Sequence, residues 1–247
     1  RVYKQVTERI NPDGTKSGSE GTNTFDRFGR ISSSDTERTN PDGTKVIQHS
    51  EYKLDKYGRV VLTVSDTTNP DGTKVHEEVV YKYDKFGRLS NQTVDRINPD
   101  GTEVKDEVTY VYDRYARLGE TETVHTNADG TITKTEQTFN YNDFGQLVIN
   151  NQGNTNTDNT NSNDNISYEY DAFGRVLKQT VVHTNADGTV QTSVTTYEYD
   201  AFGRLSRQLT DRSSQGNPSS TQVTTYTYDA FGRMSQQNVQ TTIHGAQ

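Results

Sequence analysis

Apolar side chains in this 247-residue chain alternate along short segments and do not recur at helical spacing. No window sustains a 3.6-residue apolar period, so no helix is predicted. Segments rich in Thr, Val, Tyr and Ser and free of internal Pro read instead as strands, among them residues 59–68 and 73–83. In the second of these, Val79, Tyr81 and Tyr83 fall on one face, and the two aromatic positions return one period later as Tyr110 and Tyr112. Alternation is weak elsewhere, because only 28% of the residues are hydrophobic. Such strands have little apolar surface to bury and cannot enclose a thick core.

The strands are punctuated on a fixed grid. Gly-Arg occurs at 29–30, 58–59, 87–88, 174–175, 203–204 and 232–233, and Ala116-Arg117 and Gly145-Gln146 occupy the two remaining slots, every step being 29 residues. Asn-Pro-Asp-Gly-Thr occupies 11–15, 40–44, 69–73 and 98–102, and Asn-Ala-Asp-Gly-Thr occupies 127–131 and 185–189. The sixth slot reads Asn156-Thr157-Asp158-Asn159-Thr160 and the eighth Ser214-Gln215-Gly216-Asn217-Pro218. Asn-Pro-Asp-Gly encodes a type I turn followed by a left-handed residue, the three-residue hairpin loop with a G1 bulge. The left-handed positions are therefore expected at Gly14, Gly43, Gly72, Gly101, Gly130 and Gly188, and at Asn159 and Asn217, since Asn tolerates positive φ. The Gly of the Gly-Arg connection again signals an unusual backbone angle. Ala116 in that slot means either a φ below zero or local strain. The ring before it (Phe28, Tyr57, Phe86, Tyr115, Phe144, Phe173, Phe202, Phe231) is expected to plug into the interior. Residues 150–165 are rich in Asn and Thr but keep the register, so they read as a weakly apolar hairpin and not as a linker.

Each period thus adds two antiparallel strands. A parallel solenoid would stack equivalent Asp side chains about 4.8 Å apart, with a like-charge repulsion of roughly 3.5 kcal/mol at an effective dielectric of ~20; a hairpin array doubles the spacing and halves the repulsion. The fold expected is all-β: tandem antiparallel hairpins of 29 residues in one elongated, spiralling sheet or rod, with 17 strands, nine of the 1–10 type and eight of the 15–25 type. Stacked at about 4.8 Å, they would extend on the order of 80 Å before coiling. The whole chain, 1–247, reads as one array of about eight and a half periods. It opens and closes part-way through a period, as a segment of a longer chain would.

Composition then removes classes of function. A net charge of −8 argues against nucleic acid, and no apolar run approaches the ~18–20 residues of a membrane span. The 15 Tyr and 8 Phe, set on the repeat grid, argue against disorder. The absence of Cys excludes disulfides and thiolate metal sites and leaves the compartment open. One carboxylate per Asp-Gly loop is too few for a hard-cation site, and five scattered His give no zinc spacing, only His125 and His183 sharing a column. No catalytic set, metal site or cofactor is expected.

The string Tyr81-Lys82-Tyr83-Asp84-Lys85-Phe86-Gly87-Arg88-Leu89, with its counterparts at 168–176, 197–205 and 226–234, resembles the YD repeat, also called the Rhs repeat. That family includes bacterial surface and secreted proteins, the shell-forming parts of toxin complexes, and teneurins. The resemblance implies tandem hairpins joined in a spiralling sheet, with no catalytic residues in the repeats. The constant period favours a rod over a closed shell.

The repeat columns carry the remaining chemistry. Asp84 and Arg88, Asp171 and Arg175, and Asp200 and Arg204 are expected to pair across their turns, because the column loses both charges together, as Asn142 and Gln146. Tyr81, Tyr83, Tyr110, Tyr112, Tyr168, Tyr170, Tyr197 and Tyr199 are read either as packing ladders or as faces for glycan stacking. The function expected is a spacer, stalk or filament module of a large bacterial cell-surface or secreted protein, without catalysis. The alternatives are a glycan-binding adhesin segment and part of a toxin-encapsulating shell. The partners expected are neighbouring repeats, with self-association or surface glycans besides.

Overall fold

The computed structural model describes residues 2–244. Arg1 and 245–247, which enter the reading of the chain ends, lie outside the described residues. The protein is all-β, with no helix among the described residues. Its seventeen strands are β1 (Val2–Ile10), β2 (Lys16–Phe25), β3 (Ile31–Thr39), β4 (Lys45–Leu54), β5 (Val60–Thr68), β6 (Lys74–Tyr83), β7 (Leu89–Ile97), β8 (Glu103–Tyr112), β9 (Leu118–Thr126), β10 (Ile132–Tyr141), β11 (Leu147–Thr155), β12 (Asn161–Tyr170), β13 (Val176–Thr184), β14 (Val190–Tyr199), β15 (Leu205–Ser214), β16 (Asn217–Tyr228) and β17 (Met234–Ile243). Two compact units divide them. The first runs to Tyr110 and includes Thr123–Ile132; the second comprises Val111–Glu122 and the chain from Thr133 onward. In the first unit, β1 to β8 pair antiparallel, each with its neighbour in sequence. In the second, β10 to β17 do the same. Residues 150–165 span β11, a turn and β12 inside this ladder.

Both connections of the period fold into the same loop. In the third Asn-Pro-Asp-Gly turn, Gly72 N donates to Asn69 O at 2.9 Å and Asn69 N to Thr73 O at 2.8 Å, with Gly72 at φ +83°. In the third Tyr-Asp turn, Gly87 N donates to Asp84 O at 3.0 Å and Asp84 N to Arg88 O at 2.8 Å, with Gly87 at φ +86°. These are type I turns closed by a left-handed residue. Asn159 takes that conformation at φ 62°, and Ala116 does so at φ 67°, which decides between the two readings of its slot in favour of strain.

Asn217 departs from its expected role. It is the first residue of β16 and pairs with Ser214, and the positive φ values fall on Gln215 (51°) and Gly216 (79°). Glycine stands one position earlier in this slot than in the others, so the chain closes in two residues. A type I′ turn needs positive φ at both central positions and favours Gly at the second.

A second feature is absent from the sequence expectations. After each described Tyr-Asp turn the register slips: Tyr83 pairs with Leu89 but Lys82 with Asn91, leaving Ser90 as a bulge. The same slip occurs at Phe25, Leu54, Tyr141, Tyr170, Tyr199 and Tyr228. Ser90 Oγ closes onto Lys82 O at 3.2 Å, and Ser206 Oγ onto Glu198 O at 3.0 Å. Such bulges strengthen local twist.

Neither unit has a second layer. Val79 is the one buried hydrophobic residue among those described, and the other buried residues are small hydroxyls: Ser50, Ser65, Thr195, Thr210 and Thr224. They sit mid-strand and meet across strands, Ser50 Oγ to Ser65 Oγ at 2.9 Å and Thr195 Oγ1 to Thr210 Oγ1 at 3.0 Å. Cohesion comes from the backbone ladder and such cross-strand pairs.

The turn geometry generates a sharp expectation. No atom lies within 4 Å of the place a Cβ would take at Gly72, so only backbone conformation decides the cost there. Gly72→Val should destabilise by at least ~1 kcal/mol in denaturant unfolding, and Gly72→Asn much less. Ala116→Gly, which relieves a left-handed alanine, should stabilise by about 1 kcal/mol. Equal losses from the two Gly72 variants, or a loss from Ala116→Gly, would contradict the assignment.

Candidate functional site

The Tyr-Asp edge concentrates the polar side chains. Its turn is locked from within by the Asp at its first position. Asp84 Oδ1 accepts from Phe86 N at 2.8 Å and Arg88 N at 2.9 Å, and Oδ2 accepts from Arg88 Nε and Nη2, both at 2.7 Å. The remaining candidate pairs repeat this fork: Asp171 with Arg175 and Asp200 with Arg204. In the fifth repeat Asn142 Nδ2 donates to Gln146 Oε1 at 2.7 Å, keeping the contact without charge. Partial burial pushes the Asp84 carboxyl up, but the Arg88 N–H, the guanidinium and the Phe86 N–H outweigh it and hold it below its ordinary 3.8.

Four of the arginines also reach the ring of the next repeat. The Arg59 guanidinium lies 4.3 Å from the ring centre of Tyr83 and 5.1 Å from its own turn's Tyr57. Tyr83 Oη in turn donates to Val60 O at 2.8 Å, beside that arginine. The arrangement recurs with Arg117 and Tyr141, Arg175 and Tyr199, and Arg204 and Tyr228, at 4.4 Å in every case. The tyrosine hydroxyls reach Leu118 O, Val176 O and Leu205 O at 2.8–2.9 Å. The guanidinium also packs against the glycine of the following turn, whose place is set by its positive φ: a Cβ on Gly87 would sit 3.0 Å from Arg59 Nη1 and one on Gly203 3.1 Å from Arg175 Nη1, whereas Gly145 and Gly232 leave 3.6 and 3.7 Å. Ring, guanidinium and ring make an inter-repeat clamp.

The candidate tyrosines are all half-buried. Tyr83, Tyr170 and Tyr199 spend their hydroxyls on the preceding repeat. Tyr197 Oη donates to Gln179 Oε1 at 3.3 Å, Gln179 Nε2 donates to Tyr168 Oη at 3.5 Å, and burial raises the phenol pKa of Tyr170 and Tyr197. Tyr168 and Tyr170 lie 6.5 Å apart, ring centre to ring centre. Tyr81 follows Val79 on the same face of β6, and Tyr110 and Tyr112 take the equivalent places on β8.

The expected plug is overturned. Phe28, Tyr57 and Phe86 of the first unit are 66–72% exposed, and Tyr115, Phe144, Phe173, Phe202 and Phe231 of the second are 62–90% exposed. The ring occupies the outer corner of the turn, and no second layer exists to receive it. One face rests on the guanidinium of its own turn, as Phe173 on Arg175 at 5.1 Å.

The opposite edge is organised differently. Asp71 Oδ1 accepts from Thr73 N at 2.9 Å and Thr73 Oγ1 at 2.6 Å, and Asn69 Nδ2 donates to Thr73 Oγ1 at 3.0 Å. These bonds hold the Asp71 carboxyl below its usual range. The left-handed glycines of this edge, Gly14, Gly43, Gly101, Gly130 and Gly188 with Gly72, carry φ of +80 to +83°. Four histidines are also paired, which the repeat columns do not announce: His49 with Asp35, His76 with Asp66, His125 with Asp106, and His183 with Asp164, at 2.6–2.8 Å. Equal offsets on the two sides of a turn would have found the first two. Among the described residues no group of three or more His, Asp or Glu is placed to hold a metal ion. No helix among them is long and apolar enough to cross a membrane.

No family model matches the chain, and no curated protein matches it. Among solved structures, a porin-like protein from Bacteroides uniformis ATCC 8492 is similar at 12% identity and a TM-score of 0.32, covering 98% of this chain and 96% of its own. A likeness that slight carries no argument here.

Two measurements check this edge. Tyr83→Phe should cost about 1 kcal/mol by removing the hydroxyl bond to Val60, and Arg59→Gln with Tyr83→Leu should couple by about 0.5–2 kcal/mol in a double-mutant cycle. Additivity would remove the clamp. His183 Nδ1 lies 2.6 Å from Asp164 Oδ1 and Nε2 2.8 Å from Asn185 Oδ1; the Asp164 bond, then the Asn185 bond, raise its pKa above 6.5. A raised folded-state pKa stabilises fully below the unfolded value and is lost as pH climbs through the folded one. The melting difference between the native chain and His183→Gln should therefore be largest below pH 6.5 and shrink above it. A difference that grows with pH would reverse the assignment.

Proposed function

We propose that the chain is a structural repeat module, a spacer, stalk or filament segment of a bacterial cell-surface or secreted protein of the YD-repeat type. The observation that carries the proposal is the use made of its charged and aromatic columns. Asp84 is consumed by its own turn, Arg88 by that Asp, and Tyr83 and Arg59 by each other across the repeat boundary. Side chains that would serve catalysis elsewhere serve here to add one hairpin to the next. A constant 29-residue period with one repeated clamp is suited to setting length, because each period contributes the same increment.

The test is to change the number of periods. Duplicating residues 59–87 should give a chain that folds cooperatively, with a maximum dimension by solution scattering about 9.6 Å longer, two strand spacings per added period. The measurement is extrapolated to zero concentration so that association does not contribute. Loss of cooperative unfolding, or an unchanged dimension, would defeat the spacer reading.

A further inference from the structure

The turn rings of the two units differ in what covers them. In the first unit the residue before each ring is a cation laid over it: Arg27 on Phe28 at 4.6 Å, Lys56 on Tyr57 at 4.9 Å and Lys85 on Phe86 at 5.0 Å. Arg114 does the same for Tyr115, the first ring of the second unit, at 4.7 Å. From there on the cation is gone. Asp143, Ala172, Ala201 and Ala230 precede Phe144, Phe173, Phe202 and Phe231, whose exposure rises to 83–90%. The arginines behind three of these rings are neutralised by Asp171, Asp200 and Asp229. The second unit therefore presents a row of four phenyl rings, three of them beside an alanine and covered on one face only, by the arginine of their own turn.

We propose that this row is a self-association surface, and that its occupant is the same row of a second copy of this chain. Area is the first argument. A Phe side chain offers about 150–250 Å², so four rings at this exposure present about 700 Å² per copy and about 1,400 Å² per pair, within the ~1,200–2,000 Å² of specific interfaces. Period is the second. Successive rings stand two strands apart, about 9.6 Å, and a partner must match that spacing over several rings at once. A second copy does so by construction, with the two rows running antiparallel about a two-fold axis. Room is the third. Between the Tyr115 and Phe144 turns lies a groove of ≈ 620 Å³, lined by Asp113, Arg114, Arg117, Tyr141 and Asp143 besides the two rings, and wide enough to take a ring from the facing row.

Sedimentation equilibrium of the full chain over a wide concentration range tests the proposal. A reversible monomer–dimer equilibrium is expected. The triple variant Ala172→Lys, Ala201→Lys, Ala230→Lys should raise the dimer dissociation constant at least tenfold with an unchanged melting profile. It gives these turns a residue their counterparts at Lys56 and Lys85 already carry. The double variant Phe173→Ser, Phe202→Ser should do the same. A chain monomeric at every concentration overturns the proposal, and so does association that both variants leave intact. A monomer whose binding to immobilised β-linked polysaccharide is lost in the triple variant overturns it as well, since the occupant is then a glycan.

Discussion

One guanidinium shared between two repeats is the contact on which the joints at Tyr83, Tyr141, Tyr199 and Tyr228 depend. Its Nε and Nη2 close the turn that carries it, and its flat face takes the tyrosine of the following repeat. Arginine suits the place because its planar, permanently charged group makes a fork with a carboxylate and a stack with a ring at the same time. Lysine supplies neither shape. The glycine of the next turn answers to its own positive φ, and the guanidinium packs over it. The bulge is independent of it: the slip twists the incoming strand at Tyr83 and equally at Leu54, where no ring meets the arginine.

With no second layer, stability has to be gathered along the sheet. The strands are rich in Thr, Ser and Tyr for a physical reason. A strand with water on both faces gains from short cross-strand pairs and from rings lying along the surface, and large aliphatic side chains would stay wet. The most buried positions accordingly carry hydroxyls that bond to each other, Ser50 to Ser65 and Thr195 to Thr210. Four of the five histidines follow the same economy, each tied to an aspartate on the strand beside it.

What the sequence disclosed was whatever is set within a few residues. The loops at Asn69–Gly72 and Asp84–Gly87 are legible because turn chemistry is local, and the strand count follows from them. The Asp84 and Arg88 pairing was legible from a correlated loss of charge at Asn142 and Gln146. The misplaced ring has one cause, the assumption that the aromatic residue before the turn glycine goes inward. With no interior to fill, Phe173 stays out and Tyr199 turns along the sheet to a carbonyl of the preceding repeat. The arginine's second contact was hidden because it depends on register between repeats, and that depends on a bulge at Ser90 that no residue type announces. Asn217 misled because the eighth slot was aligned by position, whereas its glycine had moved to Gly216.

The fifth repeat shows what the clamp is made of. Gln146 keeps a hydrogen bond forward, from Nε2 to Gly174 O at 3.2 Å, and Tyr170 keeps its bond back to Leu147 O at 2.7 Å. The amide lacks the charge that draws a guanidinium to the ring of Tyr170 and cannot fork onto Asn142. The hydrogen-bonded half of the joint survives and the electrostatic half is gone. In a linear array, stability is close to a sum of repeat terms and nearest-neighbour terms. A joint with only half its contacts is then the weakest link within the second unit, and β11 and β12 on its far side carry the Asn-rich segment that has least to bury. Weak repeat and weak joint coincide. The array tolerates the pair because every other joint of the unit is complete, and because the backbone ladder runs through β10, β11 and β12 without a break.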